Sequence, residues 1–177
     1  MRVSLAQIDA GTDKSRNLEL IAAGSRAAVD AGAELVAFPE FSMYEKKVVD
    51  ASFSAAAEPL DGAFVERLRS LASALRIAIV AGVVEANPED ARPFNTLVAI
   101  GADGALLARY RKIHLFDSFG FRESDSISPA DSLDPVVFTA GGMTVGLMTC
   151  YDLRFPELGR ELADAGYEAL RTLPYYN

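Results

Sequence analysis

The chain has 177 residues, 50% of them hydrophobic and 24% charged, the composition of one ordinary globular domain that can bury roughly 70% of its unfolded surface. A net charge of −8 disfavours nucleic acid and anionic membranes as partners, because both repel an acidic surface. The single cysteine, Cys150, and the single histidine, His114, exclude an internal disulfide and any zinc site built from several Cys or His ligands. No apolar run approaches the roughly 18 residues of a membrane helix, and the start, MRVSLAQIDAG, lacks a long apolar segment ending in a cleavage site. A soluble cytoplasmic protein is expected.

Residues 2–9 alternate and include β-branched side chains, which predicts a first strand. From Asp13 the spacing becomes helical, with Leu18, Ile21, Ala22, Ala28 and Val29 on one face and Gly32 as a stop. ELVAF (34–38), closed by Pro39, predicts a buried strand. A second helix is expected from Leu60 to Leu75, with Asp61 as N-cap and Phe64, Leu68, Leu71 and Leu75 as its buried stripe.

Downstream, IAIVAGVVE (77–85) reads as a strongly apolar strand. FNTLVAIG (94–101) and ALLARYRK (105–112) flank Ala-Asp-Gly and read as a hairpin. Residues 113–134 form a polar loop of the length that is usually functional or disordered. PVVF (135–138), Gly141-Gly142 and MTVGLMT (143–149) give another hairpin, and Phe155 to Ala165 reads as helix. Strands with helices between them, plus two hairpins, predict a layered α/β fold with a mixed sheet.

Chemistry-bearing residues cluster at strand ends. A lone cysteine is most often a small buried hydrophobe. Cys150, however, follows an apolar strand and precedes Tyr-Asp-Leu-Arg-Phe-Pro-Glu, where Pro156 suits a helix start. Such a strand-to-helix turn exposes its side chain and aims backbone amides at a thiolate or oxyanion. Glu40 follows ELVAF and Pro39, and Lys112 ends ALLARYRK. Taken singly, each reads as a solvated surface residue, and Arg109 and Arg111 dilute the lysine signal. Their common placement at the carboxyl ends of strands is where open α/β sheets put ligand sites. His114 reads either as a structural residue or as a base for Cys150. No glycine pattern forms a phosphate loop.

FPEF (38–41), YRKIHLF (110–116) and TCYDLRFPEL (149–158) resemble, in order and spacing, the three catalytic motifs of the nitrilase superfamily, and VSLAQID (3–9) is similar to that family's first strand. The resemblance implies a four-layer α-β-β-α sandwich, a Glu40–Lys112–Cys150 triad and homodimerisation. CYDLRFPE and KIHLFD are similar to the omega-amidase and deaminated-glutathione-amidase branch. A second glutamate of that branch maps onto Glu123 in FRESD, although the loop is shorter than in close relatives. Relatives continue well beyond this point, by roughly half as much again, a size still compatible with one domain. Residues 1–177 are therefore expected to form the N-terminal two-thirds of a single carbon–nitrogen hydrolase domain. In YEALRTLPYYN, Arg171 and Pro174 break the interior strand expected there. The fold is expected to be incomplete at its C-terminus, through truncation or frameshift, and the chain alone poorly soluble and inactive.

In the implied mechanism Glu40 takes the thiol proton, Cys150 forms a thioester, and Lys112 with the Tyr151 N–H holds the oxyanion. Glu123 orients Lys112 or the substrate, Tyr44 is a candidate pocket wall, and no metal or cofactor is required. The expected substrate is a small carboxylic acid amide. Two other readings are a catalytically inactive binding protein on the same fold, and a Cys-His hydrolase that uses His114.

Overall fold

The computed structural model describes residues 1–171. Its first sheet has the order β1 (Val3–Leu5), β2 (Leu35–Ala37), β3 (Ala78–Glu85), β4 (Phe94–Ile100), β5 (Leu106–Arg111). The first three strands run parallel and the last three pair antiparallel, giving the expected mixed sheet. The strand predicted over 2–9 shortens to three residues. Its partner β2 turns away at Phe38-Pro39, and after Leu5 only the Ala6 N–H to Ala37 carbonyl bond (2.9 Å) extends the ladder.

Helix α1 (Lys14–Asp30) begins where Asp13 accepts from the Ser15 and Arg16 amides, the N-capping that its sequence position suggests. Its fully buried stripe is Asn17, Ile21, Ser25 and Ala28, whereas Val29 turns to solvent. A five-residue helix, α2 (Ser52–Ala56), lies in a stretch where none was expected. Helix α3 (Ala63–Leu75) begins later than predicted and Asp61 does not cap it. The Glu58 carboxylate accepts from the Phe64 amide instead (2.8 Å), since the turn at Pro59-Gly62 folds Glu58 back over the helix start.

β6 (Asp117–Ser118) and β7 (Phe121–Arg122) make a small hairpin inside the predicted 113–134 loop, followed by a 3-10 turn at Glu123–Asp125. β8 (Val136–Ala140) and β9 (Met143–Leu147) pair around Gly141-Gly142. Both glycines have the left-handed φ (52° and 72°) that such a tight hairpin needs. Helix α4 (Pro156–Asp164) starts on its proline, and β10 (Ala169–Arg171) pairs parallel with β9 to complete a sheet of order β10-β9-β8. Arg171 thus belongs to a strand rather than breaking one. Pro174 lies outside the described residues.

Two apolar cores define the layers. Ile21 of α1 and Leu68 of α3 pack on Val36, Ile79 and Val98 from one face of the first sheet. Val80, Leu97, Ala99 and Tyr110 from its other face meet Phe138, Val145 and Leu147 of the second sheet. Leu158 and Leu162 of α4 join that second core, Leu162 lying against Gly146. The result is the α-β-β-α order. β3 and β4 are buried along their whole length, because helices cover one face and a sheet the other. Each large apolar side chain so buried contributes about 1.5–3 kcal/mol. Among the described residues, no helix is long and apolar enough to cross a membrane.

Candidate active site

Glu40 sits on a turn just past β2, and the turn is pressed hard onto β3. The Phe38 N–H donates to the Val80 carbonyl, the Gly82 N–H to the Pro39 carbonyl, and the Met43 N–H to the Gly82 carbonyl. A Cβ on Gly82 would lie 2.5 Å from the Phe41 nitrogen and 2.8 Å from the Glu40 Cα. Only glycine lets the two backbones approach this closely. Phe41 pays for the tight path with a left-handed φ of 57°, an unfavourable conformation for a bulky residue. Asn17 fixes the far side, donating from Nδ2 to the carbonyls of Gly11 and Met43.

Lys112 follows β5, and its N–H donates to the Asn95 carbonyl (2.8 Å). Alternation along the strand separates it from the arginines. Arg109 and Arg111 face outward onto Glu85, while Tyr110 and Lys112 face the space between the sheets. The dilution of the lysine signal by its basic neighbours therefore disappears in three dimensions. Glu123 opens the 3-10 turn after the β6–β7 hairpin, tied back by its N–H to the Phe116 carbonyl.

These elements bring three charges together away from water. Lys112 Nζ donates to Glu40 Oε1 at 3.0 Å and to Glu123 Oε2 at 2.8 Å. The three residues are only 2%, 2% and 3% exposed. Burial by itself works against a charged lysine. Glu40 and Glu123, with Cys150 close by, outweigh it and hold the ammonium protonated well above the ordinary lysine range. The Phe116 N–H also donates to Glu123 Oε2 (2.7 Å). Asn95, on the same inner face of β4, donates from Nδ2 to Glu40 (2.6 Å) and to Glu123 (3.2 Å).

Cys150 stands on a strained elbow, with φ of 51°, between the extended Thr149 and the short 3-10 helix Cys150–Arg154. Asp152 builds that elbow. Fully buried, its carboxylate accepts from the Thr149 N–H (3.0 Å), the Tyr110 hydroxyl (2.6 Å), the His114 N–H (3.0 Å) and His114 Nδ1 (2.8 Å). An ionised carboxylate only accepts, so His114 carries its proton on Nδ1. Burial, then the nearby Asp152 charge, pushes the Tyr110 hydroxyl far above its usual range, so it stays a donor. The His114 ring stacks on Phe155 at 3.7 Å. His114 is thereby a strut of the elbow, which is its structural reading.

Tyr151 is half-buried, edge-on to Phe116 and Phe155 at 5.0 and 5.4 Å. Tyr44 packs edge-on to Phe53 and donates its hydroxyl to Ser52. Gly82, Asn95 and Asp152 are the residues that sequence reasoning passed over. Asn95 had a signal, as the one amide side chain in FNTLVAI.

Residues 2–176 match the family described as carbon-nitrogen hydrolase. Hydrolase Rv0480c of Mycobacterium tuberculosis is 41% identical over 172 residues, covering 96% of this chain and 59% of that protein. Human omega-amidase NIT2 is 36% identical over 177 residues, with 96% and 61% covered. A solved structure of the amidase from Nesterenkonia sp. AN1, showing acrylamide added at the active-site cysteine, superposes with a TM-score of 0.82 at 29% identity, over 97% of this chain and 64% of that one. The chain belongs to the carbon–nitrogen hydrolase family and has the nitrilase-superfamily fold. It spans about 60% of the length of the curated relatives it matches.

Proposed function

We propose that this chain supplies the catalytic groups of an amidase that hydrolyses the terminal amide of a small carboxylic acid through a thioester on Cys150. The observation that carries the reading is a buried ammonium clamped by two carboxylates, within electrostatic range of a cysteine on a strained elbow. Human omega-amidase NIT2 and the Nesterenkonia amidase with its modified cysteine support it as relatives.

In the proposed cycle Glu40 accepts the Cys150 thiol proton as sulfur attacks the amide carbon. The carbonyl π pair moves onto oxygen, and Lys112 with the Tyr151 N–H stabilises the oxyanion. As the tetrahedral adduct collapses, the C–N bond breaks and Glu40 passes its proton to nitrogen, releasing ammonia. Water then attacks the thioester while Glu40 takes its proton. The acid leaves and that proton returns to sulfur. The balance is amide plus water to acid plus ammonia. Glu123 anchors Lys112, and Tyr44 serves as a pocket wall.

An ammonia-release screen of small omega-amides and the matching nitriles tests the substrate class. Turnover of an amide, with nitriles slower, is expected. A nitrile that outpaces every amide contradicts the proposal.

Gly82 gives a separate test, since it touches no reacting group. Gly82→Ala forces the Glu40 turn off β3, and a displacement of about 1 Å at a catalytic group can cost on the order of 10²-fold in rate. A loss of roughly that size in kcat/KM is expected. Unchanged kinetics in Gly82→Ala show that the tight approach is irrelevant to Glu40.

A further inference from the structure

We infer that Asn95 is a positioning residue for the amidase chemistry, a bridge that holds the two site carboxylates aimed at Lys112. The inference rests on the proposed function and assigns a role to a residue outside the Glu-Lys-Cys set. The Asn95 amide nitrogen lies 2.6 Å from Glu40 Oε1 and 3.2 Å from Glu123 Oε1. Two carboxylate oxygens accept only, so the group facing them must be the NH2 and the Asn95 orientation is set by chemistry. One NH2 has two protons, and the geometry gives one to each carboxylate.

This arrangement leaves the Asn95 Oδ1, buried in a residue 1% exposed, with no hydrogen-bond partner among the described residues. A buried carbonyl without a partner is unfavourable. A valine or leucine would suit an inner-face position of β4, as Leu97 does two residues on. The amide therefore opposes packing at its oxygen end while serving the carboxylates at its nitrogen end. Without it, Lys112 would be left to hold both Glu40 and Glu123. Glu40 would lose its shorter bond and its fixed direction. The charged or titratable groups gathered there are Glu40 from the β2 turn, Lys112 from β5, Glu123 from the 3-10 turn and Cys150 from the elbow.

Asn95→Asp and Asn95→Ala test the assignment. Donors to a carboxylate favour its charged form, and an added like charge opposes it. Asn95→Asp preserves shape, removes the donor and adds a third acid against one ammonium. The acid limb of kcat/KM should move upward by about one pH unit or more in Asn95→Asp. It should move in the same direction, by less, in Asn95→Ala. In both, kcat should fall on the order of 10²-fold with KM little changed, as for a misaimed base.

A second readout needs no substrate. The pH midpoint for alkylation of Cys150 by iodoacetamide should rise in Asn95→Asp, because a new negative charge disfavours thiolate. Lowered melting temperatures with both the acid limb and the alkylation midpoint unmoved would make Asn95 merely structural and overturn the inference. If the parent turns over no amide, the proposed function fails, while the alkylation midpoint still decides the role of Asn95.

Discussion

Cys150→Ala should abolish amide hydrolysis while leaving the fold intact. Asp152, Tyr110, Thr149 and His114 hold the elbow, and Cys150 is not among the core residues. Alanine keeps the Cβ, so the strained φ of 51° is unchanged in kind. Removing the nucleophile of a hydrolase whose residues act as a unit typically lowers kcat on the order of 10⁶-fold. Ammonia release should fall to background, with a melting temperature near that of the parent. A variant that releases ammonia at the parent rate would end the assignment of Cys150.

Lys112→Ala should damage both activity and stability. Losing one oxyanion donor costs roughly 10²–10³ in rate. The stability effect arises because Glu40 and Glu123 are buried and the ammonium is their common counter-charge. Removing one partner of such a group leaves uncompensated buried charge and costs about 3–5 kcal/mol, or roughly 6–20 °C in melting temperature for a chain of this size. The sign of the pH effect follows from the raised ammonium. Its stabilising contribution is complete below the ordinary lysine value of about 10.4, and is lost only as pH rises through the higher folded value. Titration of Lys112 itself therefore adds no pH dependence to parent stability between pH 6 and 9. In Lys112→Ala a proton must replace the lysine between the carboxylates, so the deficit should shrink as pH falls from 8 to 5. Thermal melts across that range check both statements. A deficit that does not change with pH contradicts the clamp.

The sequence made the strands that bear the site legible. Within the apolar runs at 34–38, 77–85 and 94–101, strands β2, β3 and β4 are buried on both sides, and their ends carry Glu40 and, across the β4–β5 hairpin, Lys112. The choice of Lys112 over Arg109 and Arg111 was not legible, because alternation along β5 separates them only once it is known which face meets the second sheet. What was not legible depends on approach between distant segments. Gly82 looks like any strand glycine until the Glu40 turn is laid across it. Asp152 reads as the third residue of a turn, and its partners Tyr110 and His114 lie 42 and 38 residues away. Asn95 contacts a glutamate 55 residues upstream. The Asp61 cap failed for a similar reason, since Glu58 arrives from the preceding turn by a path that local spacing does not reveal.

The central claim is that the acyl group passes through sulfur, and hydroxylamine capture tests it most directly. An amide substrate is turned over with hydroxylamine present, and the products and the protein's intact mass are followed. A thioester on Cys150 partitions between water and hydroxylamine, so hydroxamate should form at the expense of acid, with a transient acyl adduct on the peptide that carries Cys150. Cys150→Ala should give neither. Acid formed at full rate, with no hydroxamate and no mass added at Cys150, would contradict the account.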